Sequence, residues 1–203
     1  MTDQPADPGA SGHHRLWLVR HGETEWARLG RHTGRTDVQL TSIGQSQAVA
    51  LATQLRGIPF ADVRSSPRSR ALDTARLAGF GDRVIVDDDL AEWDYGADEG
   101  RTSADIRVER PGWTIWSDGV RDGETIEEVA ARADRVIDRA RGIDGDTLCF
   151  AHGHILRIIA ARWLGLAPTA GALFALSTAT VSILGWERET AVILRWNEGA
   201  TLD

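Results

Sequence analysis

Residues 16–19 (LWLV) and 147–151 (TLCFA) are apolar runs too short for helices, and each breaks off at a cationic turn. Runs of this kind are strands buried on both faces, as in sheets with helices above and below. The residues just after each run narrow the fold further. The first ends in Arg20-His21-Gly22. A second stretch, ADVRSSPRSRALDTARLAG over residues 61–79, ends a strand near Val63, breaks at Ser65-Ser66-Pro67 and starts a helix near Arg68. Arg70 then falls in that helix's first turn, where unpaired N–H groups and the helix dipole favour an anion. The third passes from its strand through His152-Gly153 into a helix carrying Ile155, Leu156, Ile158, Ile159 and Trp163 at helical spacing, with Gly165 as the stop. Carboxyl ends of strands are where α/β sheets open to ligands. Any one of Arg20-His21, Arg70 and His152 reads equally as an ordinary strand end. Three together predict an anion-binding catalytic cleft.

The remaining segments fit around that frame. Residues 1–13, rich in Pro, Gly, Asp and Ser, read as a disordered lead, and residues 14–203 as one domain. A helix is expected after Gly44, with Ala48, Leu51, Ala52 and Leu55 on one face. Residues 83–87 read as a short strand feeding the loop that holds Glu92. Residues 101–121, with Pro111, Trp113 and Trp116, read as a partly helical cap over the cleft. Thr125 and Glu128 form a capping box for a helix reaching about Arg141. Residues 180–186 and 191–196 make a terminal hairpin. Strands alternating with helices predict a three-layer α/β domain.

The motifs LVRHGETEW, HTGRTDVQLTSIGQSQA, SSPRSRALDTA, LAEWDYGADEG, DGETIEEVAARA and FAHGHILR stand in this order over roughly residues 15–165. In this the chain resembles the histidine phosphatase superfamily, which includes cofactor-dependent phosphoglycerate mutases and many phosphatases. The resemblance implies a phosphoglycerate mutase-like αβα sandwich with a mixed, mostly parallel sheet. It also implies a phosphoenzyme mechanism, with His21 as nucleophile, Arg20, Arg70 and His152 around the phosphate, and Glu92 as proton donor.

Those residue types suit the chemistry. Arg20 and Arg70 offer planar forks for phosphoryl oxygens, and such a clamp stabilises the charge of the transferring group. Imidazole is a competent nucleophile near neutral pH; a backbone carbonyl holding one ring N–H of His21 would leave the other nitrogen bare. His152 is expected to donate to the oxygens, best when protonated. The leaving alkoxide needs an acid, and Glu92 serves if burial beside Trp93 and Tyr95 keeps its proton on.

Other positions admit two readings. Glu23 and Thr24 either brace the loop or touch phosphate. Thr33 and Gly34 match a family position that contacts substrate, although Gly34 also suits a turn. Trp93 and Tyr95 are expected as a wall of the pocket, with Gly153 and His154 as further substrate contacts; His154 reads equally as passive. Arg68, on another helix face from Arg70, reads as a solvated charge or ion-pair partner. The pair His152 and His154 has no third ligand nearby, so neither metal nor cofactor is expected.

Two departures separate the chain from the mutases. Ala27 stands where the family carries a phosphate-binding Asn, so that contact is expected either to be missing or to be supplied by another group such as Arg35 or Thr33. Glu92 is followed by Trp93 and Asp94 rather than Arg and His, and the long basic insertion is missing between Glu99 and Asp122. An unclamped phosphoenzyme is open to water, and Asp94 is expected to repel a substrate carboxylate. The chain therefore reads as a metal-independent phosphomonoesterase of small phosphorylated metabolites, closest in type to the superfamily's acid phosphatases and sugar-bisphosphate phosphatases. A cofactor-dependent phosphoglycerate mutase is the alternative. A non-catalytic phosphate-binding module is more remote, because all five site residues are present.

Net charge is −7, which argues against nucleic acid or an anionic membrane as partner. All 23 cationic residues are Arg, so Arg abundance says nothing about phosphate; position does. The single cysteine, Cys149, leaves no intramolecular disulfide, and there is no signal-peptide core or membrane-length apolar run. A cytoplasmic enzyme is expected, with a homodimer left open.

Overall fold

A computed structural model describes residues 14–199, and the lead expected over residues 1–13 lies outside them. The elements are β1 (Leu16–Arg20), α1 (Glu25–Arg28), α2 (Ser42–Leu55), β2 (Asp62–Ser65), α3 (Ser69–Ala75), β3 (Ile85–Val86), α4 (Ser103–Glu109), α5 (Ile115–Asp118), α6 (Ile126–Arg141), β4 (Thr147–Ala151), α7 (Gly153–Trp163), β5 (Thr180–Glu187) and β6 (Thr190–Gly199). Six strands form one sheet in the order β3-β2-β4-β1-β5-β6. β4 runs parallel to β1 and β2, and β3 parallel to β2, while β5 is antiparallel to β1 and β6 to β5.

Side-chain alternation explains the layers. Leu16, Leu18, Cys149 and Ala151 pack on one face with α6 and α7, through Val129, Ile137, Ile155 and Ile159. Trp17, Val19, Leu148 and Phe150 pack on the other face with Leu51 and Leu55 of α2 and Ala75 of α3. Helices thus cover both faces of a mixed sheet, the αβα sandwich expected. Among the described residues no helix is long and apolar enough to cross a membrane.

Strand register positions the site. Arg20 pairs with Ala151, and Ser65 with Phe150, so the chain leaves β1, β2 and β4 along one edge. His21, Ser66 and His152 are the next residues, and they emerge side by side.

Local chemistry sets most boundaries. The Thr125 and Glu128 capping box opens α6. Gly165, with φ of 72°, follows the end of α7. α2 begins three residues earlier than expected, because the Thr41 hydroxyl accepts the Gly44 N–H and caps it at Ser42. Gly44 itself serves packing: a Cβ there would lie 2.1 Å from the Glu23 oxygen. The short strand expected over residues 83–87 shrinks to Ile85 and Val86, both exposed. The segment expected as a cap, residues 101–121, is partly helical in α4 and α5. Fully buried Asp98 just before it pairs with Arg101, Arg110 and Arg121, joining α4 to the segment after α5.

Candidate active site

His21 is 4% exposed, and its Nδ1 lies 2.7 Å from the Gly22 carbonyl oxygen. A carbonyl only accepts, so the proton sits on Nδ1 and Nε2 is bare. Burial, and then the charges of Arg20 and Arg70, push the imidazole well below its ordinary pKa. The His21 and His152 ring centroids are 5.1 Å apart.

His152 departs from expectation. Arg70 Nε donates to its Nδ1 at 3.2 Å, so the remaining proton is on Nε2, which donates to Ser66 Oγ at 2.7 Å. Burial first, and Arg70 second, hold this imidazole neutral. It is therefore not the protonated donor expected, and both of its nitrogens are engaged. Arg70 departs too. It is fully buried, with Nη1 on the Thr36 carbonyl at 3.0 Å and Nη2 on those of Thr33 and Gly34 at 2.9 and 3.2 Å. Its fork grips the loop that carries Thr33 instead of standing open. Arg20 faces the cleft, with Nη1 on the Leu176 carbonyl at 2.5 Å and a buried Nε that has no hydrogen-bond partner among the described residues.

The cleft in front of His21 holds about 180 Å³. Arg20, His21 and Glu92 line it, as do Thr33, Tyr95, Gly153 and His154 among the expected substrate contacts. Two expected contacts are placed elsewhere. Trp93 is fully buried, its indole N–H on the Glu124 carbonyl at 2.8 Å, so it is a core residue and not a wall of the pocket. Gly34 is buried with its N–H on the Glu99 carboxylate, and a Cβ there would lie 2.5 Å from the Trp93 oxygen. Gly34 serves close packing. Asp94 is paired with Arg35 at 2.7 Å, and neither is among the residues lining the cleft, which places the expected repulsion by Asp94 and the expected substitute Arg35 away from it. Ala27 and Thr33 do line the cleft. Glu23 and Thr24 act as braces: Glu23 accepts the Thr41 hydroxyl, and Thr24 caps α1. Arg68 is neither fully solvated nor ion-paired among the described residues; it is half-buried, with an unpartnered buried Nε.

Glu92, 7% exposed, accepts three backbone N–H groups: Trp93 at 2.9 Å and Ile155 at 3.0 Å on Oε1, and His154 at 3.0 Å on Oε2. Two of these open the first turn of α7, the ordinary seat of an anion at a helix N-terminus. The expected apolar enclosure by Trp93 and Tyr95 is thus replaced by a polar cradle. The Tyr95 hydroxyl instead meets His154 Nδ1 at 2.7 Å.

Sequence reasoning missed Arg31, His32 and Arg157, which also line the cleft. Arg157 was findable, since it lies one helical turn beyond Gly153 on the same face of α7. Arg31 and His32 sit in a loop with no periodicity to read.

Four imidazoles in one site couple stability to pH. His21, His152 and His154 are held well below the ordinary value, and His32 below it, burial being the largest cause in each. Between those depressed values and the unfolded value of about 6.5 the unfolded chain binds more protons, so stability rises with pH there and is lost as pH falls. The thermal midpoint is expected to drop from about pH 7 to about pH 5, while NMR signals of His21, His152 and His154 in the folded protein stay at their neutral positions near about pH 6. Imidazole signals titrating at the ordinary value would show that the site is hydrated and the burial argument wrong.

Similarity to known proteins agrees with this geometry. The family model of the histidine phosphatase superfamily (branch 1) matches residues 16–199. An acid phosphatase of Mycobacterium tuberculosis is 45% identical over 188 residues, covering 89% of this chain and 92% of its own length. A sedoheptulose 1,7-bisphosphatase of Saccharomyces cerevisiae is 38% identical over 185 residues, covering 75% of this chain and 68% of its own length. A solved structure of a functionally characterised open reading frame from Mycobacterium tuberculosis is similar at a TM-score of 0.88 and 40% identity, over 93% of this chain and 99% of that one. With its sheet order, its basic strand-end cluster and this match over nearly all the described residues, the chain belongs to branch 1 of the histidine phosphatase superfamily.

Proposed function

We propose that this chain is a phosphatase of small phosphorylated metabolites that works through a phosphohistidine on His21. The bare Nε2 of His21, held at the cleft floor by the Gly22 carbonyl, carries this reading. A phosphomonoester enters with its oxygens toward Arg20, whose buried Nε has no partner among the described residues, and toward the positive charge of Arg70 behind. Nε2 attacks phosphorus in line, the P–O ester bond breaks, and the leaving oxygen takes a proton carried on Glu92 Oε2, the carboxyl oxygen that accepts one N–H where Oε1 accepts two. Water then attacks the phosphohistidine, Glu92 takes a proton back, and the P–N bond breaks to release inorganic phosphate. His152 and Ser66 hold Arg70 in place throughout.

The named relatives are phosphatases, one of them of a sugar bisphosphate. Arg31 and Arg157 add positive charge to the outer cleft, which suits a substrate with a second anionic group. The discriminating experiment is a panel of sugar monophosphates, sugar bisphosphates and phosphoglycerates, scored for phosphate release and for interconversion of 3- and 2-phosphoglycerate with and without bisphosphoglycerate. Phosphate release is expected to dominate and to continue in excess chelator, since every donor in the scheme is a protein group. Interconversion faster than release would establish the mutase reading instead, and a strict requirement for added metal would overturn the scheme.

A further inference from the structure

The Gly22 carbonyl that holds His21 is itself held. That carbonyl and the Glu23 N–H belong to one planar peptide group and point in opposite directions. On one side the Gly22 oxygen accepts the Nδ1–H of His21 at 2.7 Å. On the other, the Glu23 N–H donates to Oε1 of Gln47 at 2.9 Å. A backbone N–H only donates, so the side-chain oxygen of Gln47, and not its amino group, faces the peptide. Gln47 stands on α2, half-buried and outside the cleft. α2 is tied to the same loop by the Thr41 N–H on the Glu23 carbonyl at 2.9 Å and by the close approach of Gly44. The peptide before it is pinned from α3, where Thr74 Oγ1 accepts the Gly22 N–H at 3.0 Å.

We propose that Gln47 is a positioning residue for His21, acting through the peptide group between Gly22 and Glu23. Its oxygen fixes the plane of that peptide, whose carbonyl keeps the proton on Nδ1 and leaves Nε2 to attack. Two physical effects act together. A hydrogen bond at the N–H end of an amide polarises its carbonyl into a better acceptor. The partner of one imidazole nitrogen sets the tautomer and aim of the other. Without the Gln47 oxygen the peptide can tilt, and the ring follows its carbonyl.

This inference rests on His21 being the nucleophile, so its test includes a readout that needs no turnover. Nitrogen-15 NMR of the imidazoles reports which nitrogen of His21 is protonated. Gln47→Met keeps the side chain's length and removes the acceptor. It is expected to lower kcat about 10- to 100-fold, the usual cost of losing such an outer partner, with KM unchanged. The Nε2–H tautomer of His21 should appear in the same variant. Gln47→Glu keeps a side-chain oxygen toward the peptide and is expected to recover most of kcat. Should the methionine variant fail to fold, Gln47→Ala carries the same expectation at a position where helix propensity favours it. A lowered thermal midpoint with kcat and the His21 tautomer unmoved would make Gln47 a mere staple of α2 and overturn the proposal. A shifted tautomer in a protein whose wild type forms no phosphohistidine would uphold the positioning role and reject the nucleophile.

Discussion

His21→Ala is expected to abolish phosphate release, by on the order of 10⁴-fold or more, as when a covalent nucleophile is removed from other hydrolases. The fold should survive. The backbone of residue 21 keeps its bonds, its N–H on the Ala151 carbonyl at 3.0 Å and its own carbonyl to the Ala179 N–H at 3.0 Å, and neither uses the imidazole. Circular dichroism and a thermal midpoint within a few degrees of wild type should accompany the loss. Rapid quench of the wild type with labelled substrate should trap an acid-labile, base-stable label on His21. Cys149 is a poor competitor, since it is fully buried and burial pushes its thiol pKa far up. Label recovered on a serine, an aspartate or Cys149 would end the phosphohistidine scheme.

Glu92→Gln carries the second-largest effect, and its size should depend on the leaving group. General acid assistance contributes about 10²- to 10⁴-fold, so alkyl phosphates should lose about that much. An aryl phosphate leaves without help and should lose far less. The substitution also disturbs the cradle. Three backbone N–H groups point at the two carboxylate oxygens, and an amide nitrogen in place of one oxygen leaves at least one donor without a partner. A stability cost of about 1–3 kcal/mol results from that mismatch, so rates must be compared below the variant's own thermal transition. Equal losses on alkyl and aryl phosphates would remove Glu92 from the acid's role.

The boundaries of β1, β4 and α6 were legible because they depend on near neighbours. Burial on both faces forces the apolar runs at 16–19 and 147–151, and the Thr125 and Glu128 pair announces α6 from a spacing of three residues. Strand ends that finish in Arg20-His21 and His152 also marked the site, because costly polar groups come directly after buried runs there. What each side chain does at the site was not legible. Trp93 and Tyr95 lie two apart in an irregular segment, where no period says which ring enters the core, and packing against Glu124 and Trp116 sent Trp93 inward. Arg70 reads as an open phosphate fork until the loop bearing Thr33, Gly34 and Thr36 folds over it and takes its donors.

By itself, then, the chain's order of residues determined the αβα layering, the family and the set of groups gathered at the strand ends, since all three arise from local burial patterns and motif order. Tertiary structure alone decided that the imidazoles are neutral, that Glu92 sits in a helix N-terminus rather than an apolar pocket, and that Gln47 stands behind His21. Those properties depend on partners far apart in the chain, brought together by the register of β1 against β4 and the seating of α2 and α7 on the sheet. A hydrogen bond needs atoms placed to within a few tenths of an ångström, and only the packed core supplies that placement.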